Sequence, residues 1–154
     1  MREQEKDLLL KDLSARLPYG VIVRHADPFV DNDGNETGEF WYKKGYLCDI
    51  NTLDDITTTI IESEGSDEEG YEHICSLERT VPYLRPMSSM TEEEVSEIQH
   101  IDFRRGIFSS RHLTYHLDGA VTDYLNKKML DWRNLISKSL AIEAPEGMYK
   151  NLML

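Results

Sequence analysis

VPYLRPMSSMTEEE, residues 81–94, is the stretch in which the chain passes from strand-forming to helix-forming sequence. Pro82 and Pro86 fix their own φ angles and push the residues before them toward extended conformations, which predicts a stiff, strand-like segment. Thr91 and Glu94 have the spacing of a capping box, in which each side chain accepts a hydrogen bond from the backbone amide of the other residue. The stretch therefore predicts that a strand ends and a helix begins within it.

Before this stretch, the sequence predicts one helix followed by several short strands. The helix covers residues 3–17, where four leucines recur at helical spacing, and Pro18 ends it. Five consecutive β-branched residues at 57–61 favour a strand, although the apolar residues around them also have helical spacing. The predicted strands, all rich in β-branched or aromatic residues, are 21–23, 39–50, 56–63 and 71–77.

Residues 27–38 contain many Asp, Asn and Gly residues and are predicted to form a long turn. Within them, DNDGN at 31–35 has the alternating oxygen side chains of a calcium loop. Phe29 and Phe40, however, occupy the positions of two required ligands, so a plain turn is predicted. The aromatic residues after the turn are predicted to lie in the core of the sheet rather than in a binding cage: Phe40, Trp41 and Tyr42.

After residue 91 the sequence predicts three helices. The first has an apolar stripe and closes at Gly106, Asp118 caps the second, and Asp131 caps the third. The apolar stripes need a partner surface, which is either the sheet or another copy of the chain. The expected fold class is α+β, with an N-terminal helix, a small antiparallel sheet or partial barrel, and C-terminal helices. One domain is expected over 1–154, with the helix and sheet in 1–90 and a helical part in 91–154.

The composition is that of a soluble chain with one core. Its 154 residues are 40% hydrophobic, and no apolar run approaches the roughly 20 residues that a membrane span needs. The first ten residues are too charged for a signal peptide, so a cytoplasmic location is expected. Cys48 and Cys75 are expected to be small buried hydrophobes without a redox role.

The net charge of −12 is unevenly distributed along the chain. Residues 1–100 contain 9 basic and 23 acidic residues, a net charge of −14, whereas residues 101–154 contain 8 and 6, a net charge of +2. Phosphate binding depends on Lys and Arg, so direct nucleic-acid binding is disfavoured unless it uses the C-terminal third alone.

Two histidines are weak candidates for a metal site. His112 and His116 are four residues apart, which on a helix places both imidazoles on one face, and His100 and Asp118 are nearby in sequence. The glutamate next to the first histidine of a zinc protease is absent. Ordinary histidines are therefore favoured. The serine pairs, residues 88–89 and 109–110, lie in no nucleophile motif, and no phosphate-binding glycine loop is present, so no catalytic residue and no cofactor are assigned.

A basic set in the last third is the weak candidate for an interaction surface. If the last two helices form a helix-turn-helix-like face, these residues would grip phosphates. The favoured interpretation is that they solvate helices and pair with acidic residues of the same chain. The candidate interaction residues are Arg104, Arg105, Lys127 and Lys128, and the set also contains Arg111, Arg133 and Lys138.

Three strings resemble a family of small uncharacterised Bacteroidales proteins that are often encoded in prophages and other mobile elements. The strings are LPYGV at 17–21, PYLRPMSSMTEEE at 82–94 and DWRNLISKSLAIEAPEGMYK at 131–150. The family has no established activity, so the resemblance implies a genomic setting and no catalytic residues. The functional expectation is a non-enzymatic accessory protein of a phage or mobile element that binds another protein. The alternatives are an acidic decoy of a DNA-binding host protein and a small metal-dependent hydrolase.

Overall fold

A computed structural model describes residues 1–61, 70–104 and 119–150, which form an α+β fold. An N-terminal helix precedes a six-stranded, mostly antiparallel sheet, and further helices follow it, as the sequence predicts. The helices are α1 (Glu3–Arg16), α2 (Glu92–Arg104) and α3 (Gly119–Lys127). The strands are β1 (Ile22–Val30), β2 (Glu36–Asn51), β3 (Ile56–Ile61), β4 (Tyr71–Ser76), β5 (Thr80–Leu84) and β6 (Ile142–Glu143).

The sheet is open, with strand order β4-β3-β2-β1-β5-β6, so the expectation of a partial barrel is wrong. All neighbouring strands are antiparallel except β5 and β6. The sheet is nevertheless strongly curled. The rings of His25 in β1 and His73 in β4 lie 5.4 Å apart, although three strand spacings would separate them by about 14 Å in a flat sheet. The curl gives the sheet a concave face, on which these two rings meet.

The hairpin of β1 and β2 is longer than the sequence predicts. Pairing extends from Ile22↔Tyr46 to Val30↔Glu36, so only residues 31–35 form the turn, and the prediction of a turn over 27–38 is wrong. Pro28 is accommodated because β5 pairs with β1 only at residues 23–25, which leaves this part of β1 with one neighbouring strand among the described residues.

The turn itself is a plain hairpin turn, as predicted. The Asp31 carboxylate accepts hydrogen bonds from the backbone amides of Asp33 and Asn35, both at 2.9 Å, and Gly34 has a φ of 87°. A left-handed residue at this place suits glycine, which has no Cβ to clash with the backbone.

The main core lies between α1 and the sheet. Leu9 and Leu13 of α1 are buried against Val23, Leu47 and Leu77, which confirms the predicted apolar stripe of the first helix. A second cluster surrounds Leu84 and Leu135, and a third joins α2 and α3 through Ile98, Val121, Leu125 and Leu130.

A buried polar network fastens α1 to the C-terminal part of the chain. The Asp12 carboxylate accepts hydrogen bonds from Arg16 at 2.8 and 2.9 Å and from Arg133 at 2.9 Å. Arg16 also donates to the carbonyl of Leu130 at 2.8 Å. Asp12 and Arg16 are completely buried, so the two charges compensate each other where water does not reach them.

Residues 81–94 form the end of a strand and the start of a helix, as predicted, but the capping box of Thr91 and Glu94 is only half formed. The amide of Glu94 donates to the Thr91 hydroxyl at 3.2 Å. The Glu94 carboxylate turns instead to the Arg85 guanidinium, with two contacts of 3.0 and 3.1 Å. A charged partner makes a stronger hydrogen bond than a backbone amide, which explains the exchange.

The third helix, predicted from Asp131, does not form. Residues 131–140 are a series of turns in which Asn134 and Ser139 have φ values of 62° and 59°, and such left-handed residues end a right-handed helix. Asp131 therefore caps no helix, and its carboxylate instead stabilises a turn by accepting from the amides of Leu135 and Ile136 at 2.7 and 2.9 Å. The chain then adds β6 alongside β5.

Candidate interaction surface

The outer part of the β1–β2 hairpin projects from the sheet as a two-stranded ribbon. Here β1 and β2 pair with each other, whereas β3 joins β2 only from Tyr46 onward and β5 pairs with β1 only at residues 23–25. We call residues 26–43 the aromatic arm. Helix α1 packs at the base of the hairpin, where the main core lies.

Three consecutive aromatic residues of the aromatic arm are exposed to solvent. The exposed fractions are 38% for Phe40, 58% for Trp41 and 58% for Tyr42. The prediction that these residues lie in the sheet core is therefore wrong. A strand buries its apolar side chains only where a second layer covers it, and none of the hydrophobic clusters among the described residues includes these three rings.

The exposed rings are nevertheless held by their neighbours. Arg24 lies over the Tyr42 ring at 4.4 Å, and the rings of Phe29 and Trp41 are 4.3 Å apart. Arg79 lies 5.8 Å from the centre of the Phe40 ring and also forms an ion pair of 3.0 Å with Glu36. Such contacts restrict the rotamers of the rings before any partner arrives.

Strand β4 is the outer strand of the sheet, and it is also apolar where it faces solvent. Ile74 is 63% exposed and Tyr71 is 47% exposed. In the described part of the chain, no strand lies on the other side of β4. β4 contains neither proline nor lysine, residues that commonly protect exposed edges.

Two carboxylates lie beside this edge, around Cys48. Glu72 lies two residues from Ile74 in β4, and Asp49 of β2 pairs with Thr58. Partial burial raises the pKa of the Cys48 thiol, and the charges of Glu72 and Asp49 raise it further. Cys48 is exposed and donates to the carbonyl of Thr58 at 3.3 Å, so the expectation that it is buried is wrong. Cys75 is buried, as predicted.

The concave face of the sheet holds a polar cluster around His25. Its Nε2 lies 2.8 Å from the Thr59 hydroxyl and 3.3 Å from that of Thr57, and its Nδ1 has no hydrogen-bond partner among the described residues. Burial, followed by the charge of His73, lowers the pKa of His25 to about 4. His73 contacts the Asp27 carboxylate at 2.9 Å. His25 is thus a neutral, buried imidazole at pH 7.

A cleft of about 460 Å³ lies where β5, the start of α2 and the C-terminal turn meet. In this cleft the Arg85 guanidinium already binds the Glu94 carboxylate and also donates to the carbonyls of Ser89 and Lys128, so neither charge lacks a partner. The other charged residues lining it are Glu143, Glu146 and Lys150. Acidic and basic groups are mixed here, so the lining selects no single class of ligand.

The metal candidates His112 and His116 lie outside the described residues, and His100 is exposed on α2. Within the ranges that the structure covers, no three His, Cys, Asp or Glu residues are placed to hold a metal ion. No helix in these ranges is both long and apolar enough to cross a membrane.

The candidate interaction residues of the last third are only partly described. Arg105 lies outside the described residues, and Arg104 is the last residue of α2. Lys127 is exposed at the end of α3, and the Lys128 ammonium lies 5.6 Å from the centre of the Tyr124 ring. A helix-turn-helix-like face is not formed after α3, because residues 131–149 are not helical.

The sequence analysis missed the aromatic arm and the His25 cluster. The alternation of His25 with Asp27 and of His73 with Cys75 places each pair on one face of its strand, which was the available signal. No sequence pattern indicated that the two faces meet. Comparison of the chain with protein-family models, curated proteins and solved structures finds no match.

Proposed function

We propose that this protein is a non-enzymatic accessory protein that binds another protein through the aromatic arm. The observation that carries the proposal is the exposure of Phe40, Trp41 and Tyr42 on a ribbon that projects beyond the core. Aromatic residues are enriched at protein interfaces, where they bury a large apolar area while keeping polar groups at the rim.

The neighbouring contacts of the rings support the same function. Because Arg24 and Phe29 already restrict Tyr42 and Trp41, a partner would bind them with a smaller loss of side-chain entropy. The resemblance to proteins of prophages and mobile elements supports a setting in which the partner is a protein of the host cell or of the element itself. The acidic decoy and the metal-dependent hydrolase remain predictions.

Affinity capture with matched variants tests this proposal. The full-length tagged protein is captured from an extract of its source organism, with and without nuclease, and the eluates are quantified by mass spectrometry. The arm variant is Trp41→Ser with Tyr42→Ser. The control is Leu53→Ser, which removes an apolar side chain that is 93% exposed in the turn between β2 and β3. Circular dichroism verifies that each variant is folded.

We expect a protein in fixed ratio to the wild type, resistant to nuclease, retained by Leu53→Ser and reduced at least about tenfold by the arm variant. Interface aromatic residues commonly contribute 2 kcal/mol or more each on truncation, which exceeds a tenfold loss of affinity. Equal capture by the arm variant and the control would show that the aromatic arm is not the binding surface. An eluate without a stoichiometric protein would overturn the proposal.

A further inference from the structure

We infer that the free edge of β4 binds an extended, basic segment of a partner protein as an additional strand of the sheet. This inference rests on the proposed function, because it names the conformation and the chemistry of a segment of that same protein partner. It concerns β4, whereas the proposed function depends on the aromatic arm.

The backbone of β4 presents hydrogen-bonding groups to solvent at alternate residues. The amide of Leu77 donates to the carbonyl of Asp55 at 2.7 Å, which fixes the phase of the ladder between β3 and β4. Hydrogen-bonded pairs alternate along an antiparallel ladder, so residues 71, 73 and 75 point their backbone groups toward β3. The amides and carbonyls of Glu72 and Ile74 therefore point away from the sheet, where an added strand would pair with them.

The side chains beside this edge determine what kind of strand fits. Ile74 is exposed, and Ile60 of the neighbouring strand, which pairs with Glu72, is 39% exposed on the same face. Glu72 lies on this face because it pairs with Ile60. Asp49 lies on it as well, because Asp49 pairs with Thr58, the residue of β3 that pairs with Ile74. A complementary strand has an apolar residue opposite Ile74 and a cation opposite Glu72.

A second copy of this chain fits the edge less well than a basic segment does. Two copies that paired through β4 would bring together two chains that each carry a net charge of −12. Each copy would also bring its own Glu72 to the same interface. Like charges at this distance oppose association, most strongly at low ionic strength.

The test uses two synthetic peptides and the full-length protein. The first peptide is Thr-Lys-Thr-Val-Thr-Lys-Thr, and in the second both lysines are replaced by glutamate. Because the peptides are symmetric about valine, a lysine faces Glu72 in either strand direction when valine faces Ile74. Binding is measured by fluorescence anisotropy, and pairing by hydrogen exchange of the Glu72 and Ile74 amides. The variant is Glu72→Lys, and its control is Glu39→Lys, the same charge change at an exposed residue of the aromatic arm.

We expect the lysine peptide to bind the wild type and to slow exchange of the Glu72 and Ile74 amides. Glu72→Lys should weaken this binding at least about fivefold and should instead bind the glutamate peptide, because each change reverses one cross-strand charge pair. Glu39→Lys should change binding by less than about twofold. The change of preference from the lysine peptide to the glutamate peptide requires the charged residue of the peptide to face residue 72.

Absence of binding at millimolar peptide, or binding without protection of the two amides, would overturn the inference. An equal effect of Glu39→Lys would also overturn it, since a general charge effect would then explain the result. So would protection of these amides without peptide in a dimer detected by sedimentation, because the occupant would then be a second copy. If the inference fails while capture through the aromatic arm persists, the proposed function stands.

Discussion

Asp12 shows how a single charged residue is accommodated in the core of this protein. Its carboxylate is completely buried and accepts from Arg16 of the same helix and from Arg133, which is distant in sequence. Arg16 is also completely buried and reaches the Leu130 carbonyl as well. Each charge is therefore tolerated only because the others are present. The network ties α1 to residues that follow α3.

Replacement of Asp12 by alanine is predicted to destabilise the protein by about 3–5 kcal/mol, because it leaves the buried Arg16 without a counter-charge. The measurement is the free energy of unfolding in urea. Glu5→Ala is the control, since Glu5 lies on the same helix and pairs with the exposed Arg2. Glu5→Ala should destabilise the protein far less than Asp12→Ala, because water and salt screen an exposed ion pair. Similar losses in the two variants would show that burial does not decide the contribution of Asp12.

At the scale of the secondary-structure element, β2 depends on a glycine where it meets β3. A Cβ placed on Gly45 would lie 2.3 Å from the carbonyl oxygen of Ile60 and 2.7 Å from the Thr59 side chain. The first of these atoms belongs to the backbone of the neighbouring strand, so it can move only if the ladder moves. Gly45 is thus required for close packing at the start of the β2–β3 pairing.

Gly45→Ala is predicted to destabilise the protein by about 1–3 kcal/mol through this overpacking. The matched control is Gly119→Ala at the start of α3, where no atom of the described residues lies within 4 Å of the added Cβ. That change should be neutral or should stabilise by about 0.4–1 kcal/mol, because alanine has less conformational freedom in the unfolded chain. Thermal and urea unfolding of the two variants measure the difference. The packing argument would be refuted by a Gly45→Ala protein as stable as the wild type.

At the scale of the whole molecule, the curl of the sheet brings together groups from four strands. His25 of β1 contacts the Thr57 and Thr59 hydroxyls of β3, and the Thr57 hydroxyl lies 2.6 Å from the Thr80 hydroxyl of β5. The ring of His73 from β4 completes the cluster. Protonation of His25 would place a positive charge beside His73 and Lys43, at a position that water does not reach.

The stability of the protein is therefore predicted to fall as the pH decreases from about 6.5 to about 4. The folded state holds His25 neutral, with a pKa of about 4, whereas the unfolded chain binds a proton near pH 6.5. The unfolded state binds more protons throughout this window, so the free energy of unfolding decreases by as much as about 3 kcal/mol. Urea unfolding at pH 7 and near pH 4.5 measures this loss.

His25→Gln should reduce this loss, because glutamine keeps a hydrogen-bonding group near Thr59 but does not titrate. His100→Gln, at an exposed position of α2, should leave the loss unchanged. If His25→Gln loses as much stability as the wild type over the same pH range, another group is responsible for the acid sensitivity.

The sequence by itself determined the elements whose cause is local. The leucine spacing predicts α1, and the β-branched run at 57–61 predicts β3. The two prolines of residues 81–87, followed by Thr91, predict the passage from β5 to α2. In each case the residues that decide the conformation are neighbours in the chain. Steric restriction by proline or β-branching and capping by a hydroxyl act over a few residues, so the local sequence is sufficient to predict them.

Only the tertiary structure decided which of these elements are covered, and by what. Phe40, Trp41 and Tyr42 have the pattern of a buried strand, but they belong to none of the hydrophobic clusters of the described residues and remain exposed. The Glu94 carboxylate binds Arg85 instead of completing its capping box. The residues after Asp131 form turns and lead to β6, which pairs with β5. Burial and charge pairing depend on groups that are distant in sequence. The distances between these groups depend on how the sheet curls and where the helices pack, so a local sequence pattern does not predict burial or charge pairing.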